Sequence, residues 1–373
     1  MKIAPFTATL LVATALAAAA NADPAYSVVA AIRISDSRTT ALATNDLGQV
    51  AGLRAYTGTT TVGTRTQKYQ GYNAFLTAAD GADPLDVLPL PGYGIVAKGK
   101  CRGLVFSNAL TAVNASGVAV GESTVAVGSG STLTYVTHAT LYSASTLTDL
   151  GTLGDVTLAS TATGINTSGL VVGTSSVTNR TVHAFSYDGT AIKDLGTLGG
   201  KTSYAAAVND AGTIVGSSTL LKGALHPFSY AGTTMTDLGL PDGYSAAAAT
   251  GISSDGTIVG WGTTGRTAGS FYYSAGAYTK LGSLYTIRGK ATPMQANGIN
   301  ASLTIVGATL NATGKPRAFI YQGGTLYDLN TTLPADYAGW SIVSATAITD
   351  SGYISAIGVD STGKQYGLLL KLS

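Results

Sequence analysis

Cysteine and charge are both scarce in this sequence. The 373 residues include one cysteine, Cys101, so no disulfide can form within the chain. Only 11% of the residues are charged, and the formal net charge is +2. That total is too small to indicate a partner, so only the distribution of charge can indicate one. Because no covalent link is available, the fold must be held by its hydrophobic core alone.

Long hydrophobic runs are also absent after the first 22 residues. A lysine is followed by an uncharged apolar run, Ile3 to Ala19, and then by the A-x-A end Ala20-Asn21-Ala22. This order is typical of a secretory signal peptide over residues 1–22. The alternative is a transmembrane anchor, but the run is short and leads directly into the small-residue end. We therefore expect an exported protein, extracellular or periplasmic, with no transmembrane segment in residues 23–373.

One pattern recurs seven times along residues 23–373. It consists of small residues, an aliphatic residue, a polar residue, a short turn, a β-branched pair and glycine, as in TATGINTSGLVVG. Each copy predicts a β-hairpin, because Asn or Ser before the turn can bond its own backbone, and a glycine three residues later suits a left-handed position. Leu303 replaces that glycine in the sixth copy, so we expect a different turn there. A second glycine, present in six copies, is expected to let a neighbouring strand approach closely. The polar position falls at Asn45, Asn114, Asn166, Asn209, Ser253, Asn300 and Thr349.

Two further strands follow each hairpin after a variable loop. Segments such as HAFSY and IKDLGTL predict a third and a fourth strand, which makes units of about 45 residues, the length of propeller blades. The seventh unit ends after its third strand, YGLLLKL, and YSVVAAIRI near the N-terminus supplies a spare strand. We therefore predict an all-β, seven-bladed β-propeller of four-stranded blades over residues 23–373, with the N-terminal strand closing the last blade. The alternative is an open β-solenoid, which would leave its edges unprotected.

The repeats resemble the HAF repeat of bacterial extracellular repeat proteins. The matching residues are the A-x-x-I-N-x-x-G-x-V-V-G hairpin, then His183-Ala184-Phe185, then D-L-G-T-L-G-G, which ends at Gly200. The resemblance covers nearly all of residues 23–373, and the third and fourth units match best. The first unit departs most, because it has NAF, long insertions and no D-L-G. The resemblance implies an exported, propeller-shaped protein, and it implies no established activity and no catalytic residues.

The residues that could carry chemistry are periodic, which indicates a scaffold. His138, His183 and His226 occupy one repeat position on separate blades, too far apart to share a metal ion. The aspartate of D-L-G also recurs, and Lys280 replaces it in the fifth unit without other change. The D-L-G-T-L-G-G segment lacks the G-K-[ST] of a phosphate loop. We therefore predict no metal, no cofactor and no catalytic residues.

Two unique residues leave an enzymatic alternative open. Cys101 lies in KGKCRG, where cationic neighbours favour a reactive thiolate, and Glu122 is the only glutamate. The motifs supply neither a base for the thiol nor a second carboxylate for glycoside hydrolysis. The alternative is a polysaccharide hydrolase or lyase with Arg288, Lys290 and Tyr244 near the axis. It requires Glu122, an aspartate and a tyrosine or histidine to converge in the central funnel.

Charge separates the two faces of the predicted propeller. Turns between the first and second strands and between the third and fourth strands share one face, here called the turn face. All other loops share the opposite face, here called the loop face. The turn face has no lysine or arginine and carries Asp46, Asp80, Asp83, Asp188, Asp210, Asp255 and Asp350. The bases of the loop face are Arg38, Arg54, Arg65, Lys68, Lys98, Lys100, Arg102, Arg180, Lys201, Lys222, Arg266, Arg288, Lys290, Lys315 and Lys364. Its acids are fewer: Asp36, Glu122, Asp155, Asp242, Asp336 and Asp360.

Aromatic residues join the bases on the loop face, which favours a binding site there. Aromatic rings stack on sugars, and lysine and arginine pair with carboxylate or phosphate. We predict a non-catalytic binding or adhesion module for an acidic polysaccharide or a lipopolysaccharide. Nucleic acid is disfavoured, because the bases are scattered without a recognition motif. The predicted ligand-binding residues are Lys98, Lys100, Arg102, Lys201, Tyr204, Tyr244, Arg288, Lys290 and Trp340.

Overall fold

The described part of the chain is all-β, as the sequence predicts. The computed structural model describes residues 24–32, 38–62, 65–87, 108–128, 134–178, 181–265 and 267–373, without the side chains of residues 58–70. Within these ranges the strands run as antiparallel meanders, in which most strands pair with the next strand along the chain. The helical segments of these ranges are two 3-10 turns, Ala79–Gly81 and Ala335–Tyr337. Neither is long or apolar enough to cross a membrane.

The first six meanders each contain four consecutive strands and are numbered here as sheets 1 to 6. Sheet 1 comprises β2 (Thr39–Thr44), β3 (Val50–Val62), β4 (Arg65–Leu76) and β5 (Leu85–Val87). Sheet 2 comprises β6 (Asn108–Val113), β7 (Ala119–Val127), β8 (Thr134–Ser143) and β9 (Thr146–Gly151). Sheet 3 comprises β10 (Ser160–Ile165), β11 (Val171–Thr178), β12 (Thr181–Tyr187) and β13 (Ile192–Asp194).

Sheets 4 to 6 repeat this order of strands. Sheet 4, joined to sheet 3 by one parallel pair between β12 and β14, comprises β14 (Gly199–Val208), β15 (Ile214–Leu220), β16 (Leu225–Ala231) and β17 (Thr234–Asp237). Sheet 5 comprises β18 (Ala246–Ile252), β19 (Ile258–Thr263), β20 (Ala268–Ser274) and β21 (Ala277–Lys280). A small hairpin of β22 (Thr286–Ile287) and β23 (Lys290–Ala291) precedes sheet 6. Sheet 6 comprises β24 (Met294–Ile299), β25 (Ile305–Leu310), β26 (Pro316–Gln322) and β27 (Thr325–Asp328).

Sheet 7 combines the two ends of the described chain. Its strands are β28 (Ser341–Ile348), β29 (Tyr353–Val359), β30 (Gln365–Leu372) and β1 (Tyr26–Ile32). β1 pairs antiparallel with β30, so that Tyr26 lies opposite Leu372 and Ile32 opposite Gly367. The N-terminal strand therefore supplies the fourth strand of the last sheet, as the sequence predicts.

The turn between the first two strands follows from an asparagine and a glycine. In sheet 3 the side-chain Oδ1 of Asn166 accepts a hydrogen bond from the Leu170 N–H at 2.9 Å. Gly169, at φ +87°, donates its N–H to the Asn166 carbonyl at 3.0 Å. Leu303 takes the same left-handed conformation, at φ +55°, and makes the equivalent bond to Asn300. The expected difference of the sixth turn is therefore wrong, because a non-glycine residue can adopt this conformation at a modest cost in strain.

The second glycine, present in six of the seven repeats, lets three strands pack closely. A Cβ on Gly173 would lie 2.2 Å from the Thr161 carbonyl oxygen and 2.7 Å from the ring of Phe185. Five sheets have a buried phenylalanine at this position, sheet 7 has Leu368, and sheet 2 has Thr140. The Thr140 hydroxyl is buried without a hydrogen-bond partner among the described residues. The phenylalanines at this position are fully buried: Phe75, Phe185, Phe228, Phe271 and Phe319.

In sheets 2, 3, 5, 6 and 7 a side chain of the first strand donates a hydrogen bond to the next sheet. The Thr163 hydroxyl of sheet 3 donates to the Ala205 carbonyl of sheet 4 at 2.9 Å. The Thr346 hydroxyl of sheet 7 donates to the Ala41 carbonyl of sheet 1 at 3.2 Å. Sheet 7 thus contacts sheet 1 in the same way that sheet 3 contacts sheet 4.

Candidate functional site

A polar concavity of about 240 Å³ lies on the turn face, where the first turns of the sheets meet. Asn114 donates its side-chain amide to the Asn166 carbonyl, and Asn166 donates to the Asn209 carbonyl, each at 3.1 Å. This series of bonds, here called the asparagine relay, stops at Ser253. The shorter Ser253 side chain bonds to Thr257 within its own turn. Residues in or next to the first turns of all seven sheets line the concavity, among them Asn45, Ala115, Thr167, Asn209, Ser253, Ile299 and Thr349.

The aspartates of this concavity hold neighbouring turns together. Asp210 accepts the Thr167 N–H at 2.8 Å, and Asp350 accepts the Ala301 N–H at 2.7 Å. Asp46 of sheet 1 accepts the Ser351 N–H of sheet 7 at 2.9 Å. Its burial favours the protonated form, but the bonds from Ser351 outweigh burial and lower the pKa of Asp46. These carboxylates therefore serve contacts between sheets.

The turn face also carries a lysine that the sequence analysis assigned to a strand. Lys371 is the second-last residue of β30 and lies opposite Tyr353, with its Nζ 3.8 Å from the centroid of that ring. The ammonium donates to the Ser351 carbonyl at 2.5 Å. The prediction that this face has no lysine or arginine is therefore wrong, because a long side chain near the end of a strand reaches the turns.

The histidines are bonded to the aspartates that follow them by eleven residues. His138 Nδ1 lies 2.8 Å from Asp149, and His183 and His226 make the same contact with Asp194 and Asp237 at 2.8 and 2.9 Å. In each pair the aspartate also accepts the N–H of the D-L-G glycine. Each pair fastens the third strand to the fourth within one sheet. Among the described residues no three His, Cys, Asp or Glu side chains form a group able to hold a metal ion.

Sheets 5 and 6 have other residues at the histidine position, and sheet 5 also lacks the aspartate. In sheet 6, Arg317 replaces histidine and lies 3.9 Å from Asp328. In sheet 5, Lys280 replaces the aspartate, and the residue eleven positions earlier is Gly269. The statement that Lys280 appears without other change is therefore wrong, because both members of the pair are replaced. The spacing of eleven residues is the signal in the sequence that identifies the pair.

Burial and hydrogen bonding act in opposite directions on the first pair. Burial disfavours the charged imidazolium, but the hydrogen bond and charge of Asp149 outweigh it and raise the pKa of His138. Burial also favours the protonated carboxyl, but the bonds from His138 and the Gly151 N–H outweigh it and lower the pKa of Asp149. The charged pair is therefore the favoured form in mildly acidic solution.

Two of the predicted aromatic residues are packed within their own sheets. A Cβ on Gly262 or Gly269 would meet the ring of Tyr244, and Lys280 Nζ lies 5.0 Å from its centroid. Burial raises the pKa of Tyr244. Trp340 contacts Tyr337 and Tyr366 with ring centroids 5.2 and 5.1 Å apart. These contacts account for both rings without a ligand.

The predicted bases occupy separate places. Lys98, Lys100 and Arg102 lie outside the described residues. Arg288 and Lys290 share the small hairpin of β22 and β23, with Arg288 at φ +51° in its turn. Lys201 and Tyr204 lie on β14 of sheet 4, where Tyr204 is 41% exposed.

A second concavity, a groove of about 380 Å³, lies between sheets 5 and 6 on the loop face. Trp261 comes from β19 and Gln295 from β24. The sequence analysis missed Trp261, although it is one of two tryptophans. It follows the second glycine of its repeat, where other copies have Leu53, Glu122, Thr174, Ser217, Ala308 and Ile357. The groove is lined by Trp261, Ala268, Pro293, Met294, Gln295, Ala308, Thr309, Leu310 and Pro316.

Glu122 lies between two neighbouring sheets. Its Oε2 accepts a hydrogen bond from the Thr161 hydroxyl at 2.7 Å, which joins sheet 2 to sheet 3. The described contacts of Glu122 include no histidine and no aspartate. The convergence that a hydrolase or lyase requires is therefore not found among the described residues.

Comparisons with known proteins identify the fold. No protein-family model matches the chain, and no curated protein matches it in sequence. The β-propeller domain of the Trilobed protease from Pyrococcus furiosus is similar at 8% identity, with 91% of this chain and 94% of that chain covered and a TM-score of 0.52. TolB from Acinetobacter baumannii is similar at 13% identity and a TM-score of 0.40, with 80% of this chain covered. The chain spans 59% of that TolB. The first likeness shows a β-propeller fold.

Proposed function

We propose that this chain is an exported seven-bladed propeller that binds acidic glycans through its loop face without catalysis. Sheets 1 to 7 are the blades, and β1 completes the last blade. Two bonds support a closed ring: Thr346 of sheet 7 to the Ala41 carbonyl, and the Gly367 N–H to the Thr39 hydroxyl at 2.9 Å. A closed ring protects the short edges of its blades by packing each blade against the next, and it holds its loops in fixed positions on each face.

The observation that supports binding at the loop face is a set of exposed bases without acidic partners. None of them lies within ion-pair distance of an acid in the described chain, in contrast to Arg54 with Asp86 and Arg317 with Asp328. Unpaired cations attract anions over distances up to the screening length. These bases are Lys201, Lys222, Arg288, Lys290 and Lys315.

The titratable residues of the described chain support a role without catalysis. The histidines are bonded to aspartates within their sheets, and the aspartates of the turn-face concavity are bonded to neighbouring turns. A general acid or base needs a lone pair or proton directed at a substrate, and these groups direct theirs at the scaffold. Glu122 is bonded to Thr161.

Solution binding of a short oligogalacturonate, a carboxylate-bearing glycan, tests this proposal. We expect saturable binding at about 0.05 M salt that weakens strongly at about 1 M salt, where the screening length falls to ~3 Å. The Lys201→Thr and Lys222→Thr double variant should bind about fivefold more weakly, since each exposed pair contributes roughly 0.5 kcal/mol. A phosphorylated lipopolysaccharide core in a parallel titration distinguishes carboxylate from phosphate as the preferred anion. Absence of salt-sensitive binding to both ligands contradicts the proposal.

A further inference from the structure

We infer that the groove between sheets 5 and 6 holds one sugar ring of the acidic glycan, with the indole of Trp261 as its platform. The inference rests on the proposed function and assigns a subsite within the loop face. The groove lies on that face because Leu310 and Pro316 bracket the loop between the second and third strands of sheet 6. It lies between two sheets, so a ligand in it can contact side chains of both sheet 5 and sheet 6.

Two polar groups of the groove are available to a ligand. Trp261 is half-buried and Gln295 is exposed. In the described chain neither the indole N–H of Trp261 nor the side-chain amide of Gln295 has a hydrogen-bond partner. The corresponding position between sheets 2 and 3 is different, because Glu122 and Thr161 bond to each other there. The pair between sheets 5 and 6 therefore leaves a donor and an amide directed at no protein group.

The shape of the groove fits a rigid ring with one apolar face. Ala268 and Ala308 contribute only methyl groups, which leaves room beside the indole, and Pro293 and Pro316 contribute rigid rings. A volume of about 380 Å³ lies at the small end of the range for small-molecule sites. The C–H face of a pyranose can stack on the indole, and its hydroxyl groups can bond the Trp261 N–H and the Gln295 amide.

The charges beside the groove indicate an acidic sugar. None of the described residues that line the groove is charged. Lys315 directly precedes Pro316, and Lys290 stands three residues before Pro293, and both lysines are exposed. A carboxylated sugar would stack over the neutral floor and direct its anion toward these borders. A proline-rich peptide could also stack on the indole, but it would gain nothing from the two lysines.

Tryptophan fluorescence can test this assignment directly, because the chain has two tryptophans. Trp340→Phe leaves Trp261 as the only emitter. We expect trigalacturonate to change its emission saturably, with an affinity equal to that of the unsubstituted protein in calorimetry. Trp261→Ala should weaken binding about tenfold. Ala308→Leu, which fills the groove while keeping the indole, should weaken it comparably. The control is Leu221→Ala, which removes an exposed apolar side chain of the loop face outside the groove and should change nothing.

The outcomes separate the subsite from the proposed function. If the unsubstituted protein binds trigalacturonate and both groove variants bind equally well, the subsite is wrong and the proposed function stands. If no variant binds any acidic glycan, the proposed function fails. The subsite fails with it unless an uncharged trisaccharide still changes the Trp261 emission. A response to a proline-rich peptide and not to either saccharide overturns the assignment of a sugar.

Discussion

The asparagine relay of the turn face should stabilise the fold more than the same turn chemistry does elsewhere. Asn166→Ala removes the bond to the Leu170 N–H at 2.9 Å and the bond from the Ser168 hydroxyl at 2.8 Å. It also removes the bond to the Asn209 carbonyl of the next sheet at 3.1 Å. Asn166 is 4% exposed, so water cannot readily replace these bonds. At about 1 kcal/mol for each bond, we expect the free energy of unfolding to fall by about 3 kcal/mol.

Asn311 provides a matched control within the same chain. Its Oδ1 accepts the Thr313 N–H and the Lys315 N–H, each at 3.0 Å, so it forms the same local turn. Among the described residues its side chain makes no bond to another sheet, and it lies in an exposed turn, where water can replace the lost bonds. Asn311→Ala should therefore cost about 1 kcal/mol or less.

Urea denaturation followed by circular dichroism measures both losses. A third variant, Asn166→Ser, introduces the residue type found at the equivalent position of sheet 5, Ser253. This side chain should keep the local turn and lose the bond to the next sheet. We expect its loss to fall between those of Asn166→Ala and Asn311→Ala. Equal losses for the two alanine variants would refute the reasoning, since they would mean that the bond between sheets contributes nothing.

Two further predictions concern the core and the pH dependence. Thr140→Val should raise the free energy of unfolding by about 1 kcal/mol in urea denaturation, because it removes a buried hydroxyl without a partner. The same change at Thr39, whose hydroxyl is bonded to Ile32 and Gly367, should lower it; a loss at both positions would argue against an unpaired hydroxyl. The raised pKa of His138 stabilises the fold below its ordinary value of 6.5, and this contribution is lost as the pH rises through the folded-state pKa. The lowered pKa of its partner Asp149 stabilises the fold above pH 3.8, and this contribution is lost in stronger acid. His138→Gln should therefore lower the free energy of unfolding most between pH 3.8 and pH 6.5. A loss that does not depend on pH would contradict the pairing.

Local features of the fold were predictable because short-range chemistry determines them. The Asn-x-x-Gly spacing gives the turn seen at Asn166. The pairing of β1 with β30 is not local, and it was predictable because the repeat leaves the last sheet one strand short. Leu303 was not predictable, because the packing around a turn decides whether it tolerates a strained residue. Repeats that share a sequence pattern share a backbone conformation, so the pattern predicts the backbone better than it predicts the packing of individual side chains.

The candidate site was less predictable, because it depends on how neighbouring sheets pack. Tyr244 and Trp340 looked available in the sequence, and their rings are used within their own sheets. Trp261 became a candidate only when Ala308 and Gln295 of the next sheet were placed beside it. Its departure from the repeat consensus was visible in the sequence, but the groove was not.

Moving charge from one face to the other, with the net charge held constant, tests the central proposal most directly. Lys201→Thr and Lys222→Thr remove two bases from the loop face. Thr233→Lys and Ala277→Lys add two at exposed positions on the turn face. We expect this fourfold variant to bind oligogalacturonate about fivefold more weakly than the unsubstituted protein at about 0.05 M salt, with a smaller dependence on salt. Unchanged affinity and unchanged salt dependence would contradict binding at the loop face, because net charge alone would then account for the attraction.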